Sequence, residues 1–148
     1  MSAARLIRLE ELFVYSLLCL IGYDKYDEYK EALDHHFLSD PSNADLLDLE
    51  MRNYKDAIIH TLSLFEKIAI NTDGFGSFLM DTLKPIYSDS CIEEFADKMY
   101  KLWCNIPFEL QTTDPFHILS YADDCLSLGD EKQCRELYEK ALYYYEQQ

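Results

Sequence analysis

The chain has 148 residues, with 28 acidic side chains against 13 basic ones for a net charge of -15, 49% hydrophobic and 14% aromatic residues, four glycines and four prolines. Such a composition excludes disordered, collagen-like and low-complexity chains, and this length suits one domain that buries roughly two thirds of its unfolded surface without a metal or disulfide. The acid excess runs through the whole chain and forms no tail. A surface of that sign repels phosphate backbones and anionic lipids, which argues against direct nucleic-acid or membrane binding and for a basic partner.

The five cysteines, Cys19, Cys91, Cys104, Cys125 and Cys134, are odd in number, include no C-x-x-C pair and mostly lie in apolar stretches. They read as reduced, inert thiols of a cytoplasmic protein. The most apolar run, Leu12 to Ile21, is too short to span a bilayer. Glu10 and Glu11 before it, and the lack of a small-residue cleavage site after Gly22, predict no secretory leader.

Helical periodicity opens at Ala3 and runs to Ile21, with Ser2 placed as N-cap and Gly22 as the left-handed residue that closes the helix. Asp24 is placed to cap a second helix from Lys25 to Leu38, whose inner face is Tyr26, Tyr29, Leu33 and Phe37. After the turn at Ser39 to Asn43, Ser42 and Asp45 form a shortened capping box. The spacing of Leu47, Met51, Tyr54, Ile58, Thr61, Phe65 and Ile68 then predicts one long central helix from Ala44 to Ile70, interrupted in its stripe only by Thr61.

Asn71 to Ser77 reads as a glycine loop, followed by a helix from Phe78 that Pro85 kinks or ends. Ser90 with Glu93 caps a helix from Cys91 to Cys104, and residues 105–113 read as a connector. Asp114-Pro115 starts a helix to Leu128, Gly129 closes it, and Asp130 caps the last helix, Glu131 to Tyr145. No segment requires a strand. The fold class is all-α: a single domain, residues 1–148, with about seven helices packed around the long central one.

The C-terminal hairpin, residues 116–148, resembles a tetratricopeptide repeat in Ala122, Gly129, Cys134, Tyr138 and Ala141. In that family a small residue lets two helices approach, a glycine turns the chain, and small and aromatic residues pack the second helix. Ile118, Cys125 and Glu146 stand where the family has tryptophan, tyrosine and proline. One copy falls short of the roughly three that stacked repeats need, so the resemblance implies a repeat-like hairpin inside the domain and an interaction role.

No catalytic signature emerges. The loop NTDGFGS lacks the lysine and preceding strand of a phosphate loop, and the acidic turn from Asp40 to Asp48 lacks the glycine of a calcium loop. Di-metal bundles use paired Glu-x-x-His units, whereas here only Asp114-x-x-His117 occurs and Asp114 serves better as a cap. No cofactor is assigned, and His35 and His36 beside Asp34 remain the metal candidates. Cys91, at a helix start, is disfavoured as a nucleophile by Asp89, Glu93 and Glu94.

Twelve tyrosines are the most unusual feature of the composition. Tyr143, Tyr144 and Tyr145 point in three directions from one helix, so at least one faces solvent or a partner. The sequence therefore reads as a non-catalytic protein that binds a basic protein through an acidic, tyrosine-containing surface, with Asp123, Asp124, Tyr143 and Tyr144 as the expected contacts. An immunity protein or an inhibitor that mimics nucleic-acid charge is the narrower form. A metal- or ligand-binding helical bundle is the second reading.

Overall fold

Every strongly periodic segment folds as helix. The computed structural model describes residues 3–147, and side chains from residue 9 to residue 146; among the described residues there are nine α-helices, two 3-10 helices and no strand. The all-α class is as expected. None of these helices is long and apolar enough to cross a membrane. Contacts divide the chain into two compact units, one ending at Asn71 and the other beginning at Thr72. Ser2, expected as the first N-cap, lies outside the described residues.

In the first unit α1 (Ala3–Leu20) packs on α2 (Tyr26–Ser39) and on α4 (Tyr54–Lys67), and α3 (Ala44–Glu50) bridges α2 and α4. Leu12, Tyr29, Leu33, Leu46, Leu49 and Ile58 form the core of this unit, and Phe13 stacks on Phe65 at 4.5 Å between ring centroids. Gly22 takes φ 108° after α1, the left-handed conformation expected of it. The cap of α2 falls at Lys25 without a side-chain bond, one residue past the predicted Asp24.

The long helix expected from Ala44 to Ile70 is two helices. The chain breaks at residues 51–53, and Asn53 caps α4: its side-chain oxygen accepts from the Asp56 N–H at 2.9 Å while its amide donates to the Asp56 carboxylate at 3.1 Å. Asparagine competes for the backbone in this way and favours helix starts over interiors. The break shifts the phase of the apolar stripe. Leu47, Met51 and Tyr54 are exposed at 44, 79 and 47%, whereas Leu46 and Leu49 face inward. Beyond the break the predicted Ile58, Thr61 and Phe65 are buried. Thr61 belongs there because its hydroxyl sits 2.7 Å from the Tyr29 hydroxyl and donates to the Ala57 carbonyl. The cap of α3 is Asn43, accepting from the Asp45 and Leu46 N–H groups, rather than Ser42.

The second unit holds α5 (Thr72–Asp89), α6 (Ile92–Asn105), the one-turn α7 (Phe108–Gln111), a 3-10 turn (Phe116–Ser120), α8 (Ala122–Ser127), α9 (Glu131–Leu142) and a second 3-10 turn (Tyr144–Gln147). Its aromatic spine runs Tyr87, Phe95, Tyr138, with successive ring centroids 5.0 and 5.1 Å apart. The predicted glycine loop is instead the first turns of α5, and Pro85 lies within that helix. Gly76 is there for close approach: a Cβ at this position would fall on the hydroxyl and ring of Tyr145. Ser90 ends α5 by donating to the Ile86 carbonyl at 2.6 Å, so Cys91 occupies the cap position of α6 without a side-chain bond.

The helix expected from Asp114 to Leu128 is also split, into the 3-10 turn and α8. A three-residue period brings Phe116, Leu119 and Ala122 into line, and all three are buried. The connector before it is pinned by reciprocal bonds, Trp103 Nε1 donating to the Gln111 carbonyl at 2.9 Å and Gln111 Nε2 to the Trp103 carbonyl at 3.0 Å. Gly129 closes α8 with φ 85°, and Asp130 caps α9 through the Gln133 N–H, both as predicted. In the hairpin Ala122, Cys134, Tyr138 and Ala141 are each fully buried. The last helix stops at Leu142, three residues short of the predicted Tyr145.

Candidate functional site

Asp123 and Asp124 lie in the first turn of α8. Asp124 is exposed and Asp123 half-buried, with Asp123 Oδ1 shielded and lacking a hydrogen-bond partner among the described residues. Burial, then the Asp124 charge, pushes the Asp123 carboxyl above its usual range. The tyrosine beside this pair is one the sequence did not single out. Tyr100 on α6 is 45% exposed, and its hydroxyl is raised first by Cys104 and further by Asp123 and Asp124.

Tyr143 and Tyr144 have different neighbours. Tyr143 is 43% exposed, as one of the trio had to be, and the Lys84 ammonium lies 4.7 Å from its ring centroid. Asp81 at 2.9 Å and Glu146 at 3.0 Å hold that lysine in place. Tyr144 is half-buried and meets the edge of Tyr145 at 5.2 Å.

A concave acidic feature lies in the first unit. Glu11 and Tyr15, one turn apart on α1, face Glu28, Glu31, Ala32 and His35 on α2, and together they line an open groove of about 360 Å³. The spacing is what puts them there: steps of three and four place all four α2 positions on one helix face. Among the described residues no lysine or arginine lines the groove. Lys25, at 3.4 Å from Glu28, is a neighbouring counter-charge, one turn earlier on the chain. The carboxylates act on one point, because the Tyr15 hydroxyl is pushed up by burial and then by Glu11, Glu28 and Glu31 in turn.

The histidine pair divides between two environments. His35 is exposed on the groove wall, whereas His36 is 6% exposed with Nε2 4.0 Å from the Glu11 carboxylate, and the two rings stand edge to face at 5.9 Å. Among the described residues no three His, Cys, Asp or Glu side chains are arranged to hold a metal ion. No family model matches the chain, and comparison with curated proteins and with solved structures gives no match.

A second depression of about 280 Å³, between α2, α3 and α4, has mostly apolar walls that include Tyr29, Leu33, Leu49 and Tyr54. Its two bases are committed, Lys30 to Glu50 at 2.8 Å and Asp34 at 3.0 Å, and Arg52 to Asp48 at 2.9 Å. The cysteines, expected to lie mostly in apolar surroundings, divide: Cys19 and Cys134 are buried, Cys125 is half-buried, and Cys91 and Cys104 are exposed. Cys91 is left in solvent because it occupies the cap position itself, ahead of the first buried residue of α6, Ile92.

Glu11, Tyr15, Glu28 and Glu31 were not singled out by sequence reasoning. Half of the signal was present, since Glu28, Glu31 and His35 share a helical stripe. The other half depends on how α1 docks on α2.

Proposed function

We propose that this is a non-catalytic module that binds a basic protein, and that the groove between α1 and α2 receives a lysine or arginine side chain of that partner. The observation that carries the reading is the convergence of Glu11, Glu28 and Glu31 on one concave surface, with no basic side chain among the described residues of its lining. A cation brought into the groove is attracted to all three carboxylates, and the Tyr15 ring lines the same groove. The net charge of -15 would steer such a partner from a distance. Asp123, Asp124 and Tyr100 form a second acidic, tyrosine-bearing surface suited to the same kind of partner. An immunity or inhibitor protein directed at a basic enzyme is the narrower form of this role.

The test compares proteins retained from native lysate by the wild-type chain and by a Glu28→Lys/Glu31→Lys variant, followed by association kinetics on the retained protein across a salt series. Selective loss of a basic protein in the variant is expected, with association slowing as the Debye length shrinks to about 8 Å and dissociation changing much less. Retention that ignores both the reversal and the salt would remove the groove and its charge from the function.

A further inference from the structure

Glu10 is the one acidic side chain of the described core: it lies on α1, is 1% exposed, and sits one residue before the groove-lining Glu11 without sharing its face. Its Oε1 accepts a 2.6 Å hydrogen bond from the main-chain N–H of Asn71, 61 residues on, while Oε2 is shielded from solvent and has no hydrogen-bond partner among the described residues. Asn71 is the last residue of the first unit, at the end of an irregular stretch, residues 68–71, between the close of α4 and the start of α5. A side chain from α1 is thus bonded to the exit of α4 through Oε1, and its Oε2 has no partner among the described residues.

The charges on the elements packed against α1 turn elsewhere. On α2, His36 faces Glu11, Lys30 and Asp34 are tied to one another, and Glu28, Glu31 and His35 open onto the groove. On α4, Lys55, Asp56, Glu66 and Lys67 are exposed, and His60 sits 3.3 Å from Asp48. Asp73, just beyond Asn71, is exposed. With no counter-charge among the described side chains, burial dominates and pushes the Glu10 carboxyl from 4.5 up to about 7, with the Asn71 N–H pulling the other way.

We propose that Glu10 is a proton-operated latch: its neutral carboxyl holds residues 68–71 against α1, and its ionisation lets that segment open. A neutral carboxyl keeps a carbonyl oxygen for the Asn71 N–H, whereas a carboxylate in this place carries a buried charge with one oxygen unsolvated. Opening the segment admits water to that charge. The sign follows from linkage: a carboxyl that is harder to ionise when closed than when open favours the closed form most at low pH, and that preference is lost as pH rises to about 7.

The experiment uses the full chain. The Glu10 carboxyl carbon is followed by NMR from pH 5.5 to 8.5, together with the protection factor of the Asn71 amide, corrected for intrinsic exchange, in wild type and in Glu10→Gln. A carboxyl midpoint near 7 is expected, with Asn71 protection falling more than tenfold between pH 5.5 and 7 and levelling above it. Glu10→Gln keeps the acceptor and cannot ionise, so its protection should stay flat. A midpoint near 4.5, or the same fall in the glutamine variant, would overturn the latch. If that variant does not fold, the wild-type titration decides by itself.

Discussion

Replacing Gly76 by alanine sets two local effects against each other, and the structure says which wins. Glycine in a helix interior costs about 1 kcal/mol relative to alanine, so an unobstructed Gly76→Ala change would stabilise α5 by that amount. Gly76 is buried, however, and the added methyl would fall on the Tyr145 hydroxyl and ring. Tyr145 is half-buried, with a hydroxyl pushed up to about 12 chiefly by burial. Evicting it forfeits roughly 2 kcal/mol, since fully burying a large apolar side chain is worth about 1.5 to 3 kcal/mol. The net expectation is a loss of about 1 kcal/mol in wild type. In a Tyr145→Ala background the obstruction is gone, and the same change should stabilise by about 1 kcal/mol. Urea unfolding of all four proteins, with unchanged m-values, measures the coupling, expected near 2 kcal/mol. If Gly76→Ala has the same effect in both backgrounds, the close approach of Tyr145 is not why this helix holds a glycine.

Three further outcomes follow from the packing. Asn53→Ala should cost about 1 kcal/mol by uncapping α4, whereas Ser42→Ala should stay within about 0.5 kcal/mol because Asn43 does the capping of α3; equal losses would restore the serine as cap. Phe65→Ala should cost roughly 3 to 5 kcal/mol in thermal or urea unfolding, because it empties a buried site and removes the stack on Phe13. Thiol labelling of the native protein should be fast at Cys91 and Cys104 and slow at Cys19 and Cys134, the last held back by full burial and a thiol pushed up to about 11; peptide mapping after a short pulse would expose a reversed order.

What the sequence determined by itself is local. Helices appear wherever apolar residues recur every three or four positions, and Gly22, Gly129 and Asp130 mark ends because left-handed φ and side-chain caps are properties of a few adjacent residues. Asn53 was legible in the same terms, but Leu47, Met51 and Tyr54 continued a helical spacing across it, and that spacing alone does not show that the chain breaks there and that these three face outward. Tertiary structure decided whatever required distant segments to meet. Gly76 reads as a loop residue until Tyr145 is placed against it, and Thr61 reads as a flaw in a stripe until the Tyr29 hydroxyl reaches it. Glu10 and Glu11 are neighbours of the same type in the sequence, yet one is sealed against Asn71 and the other opens onto a groove with Glu28 and Glu31. On a helix consecutive residues point about 100° apart, so only the docking of α1 against its neighbours assigns one carboxyl to the core and the next to the surface.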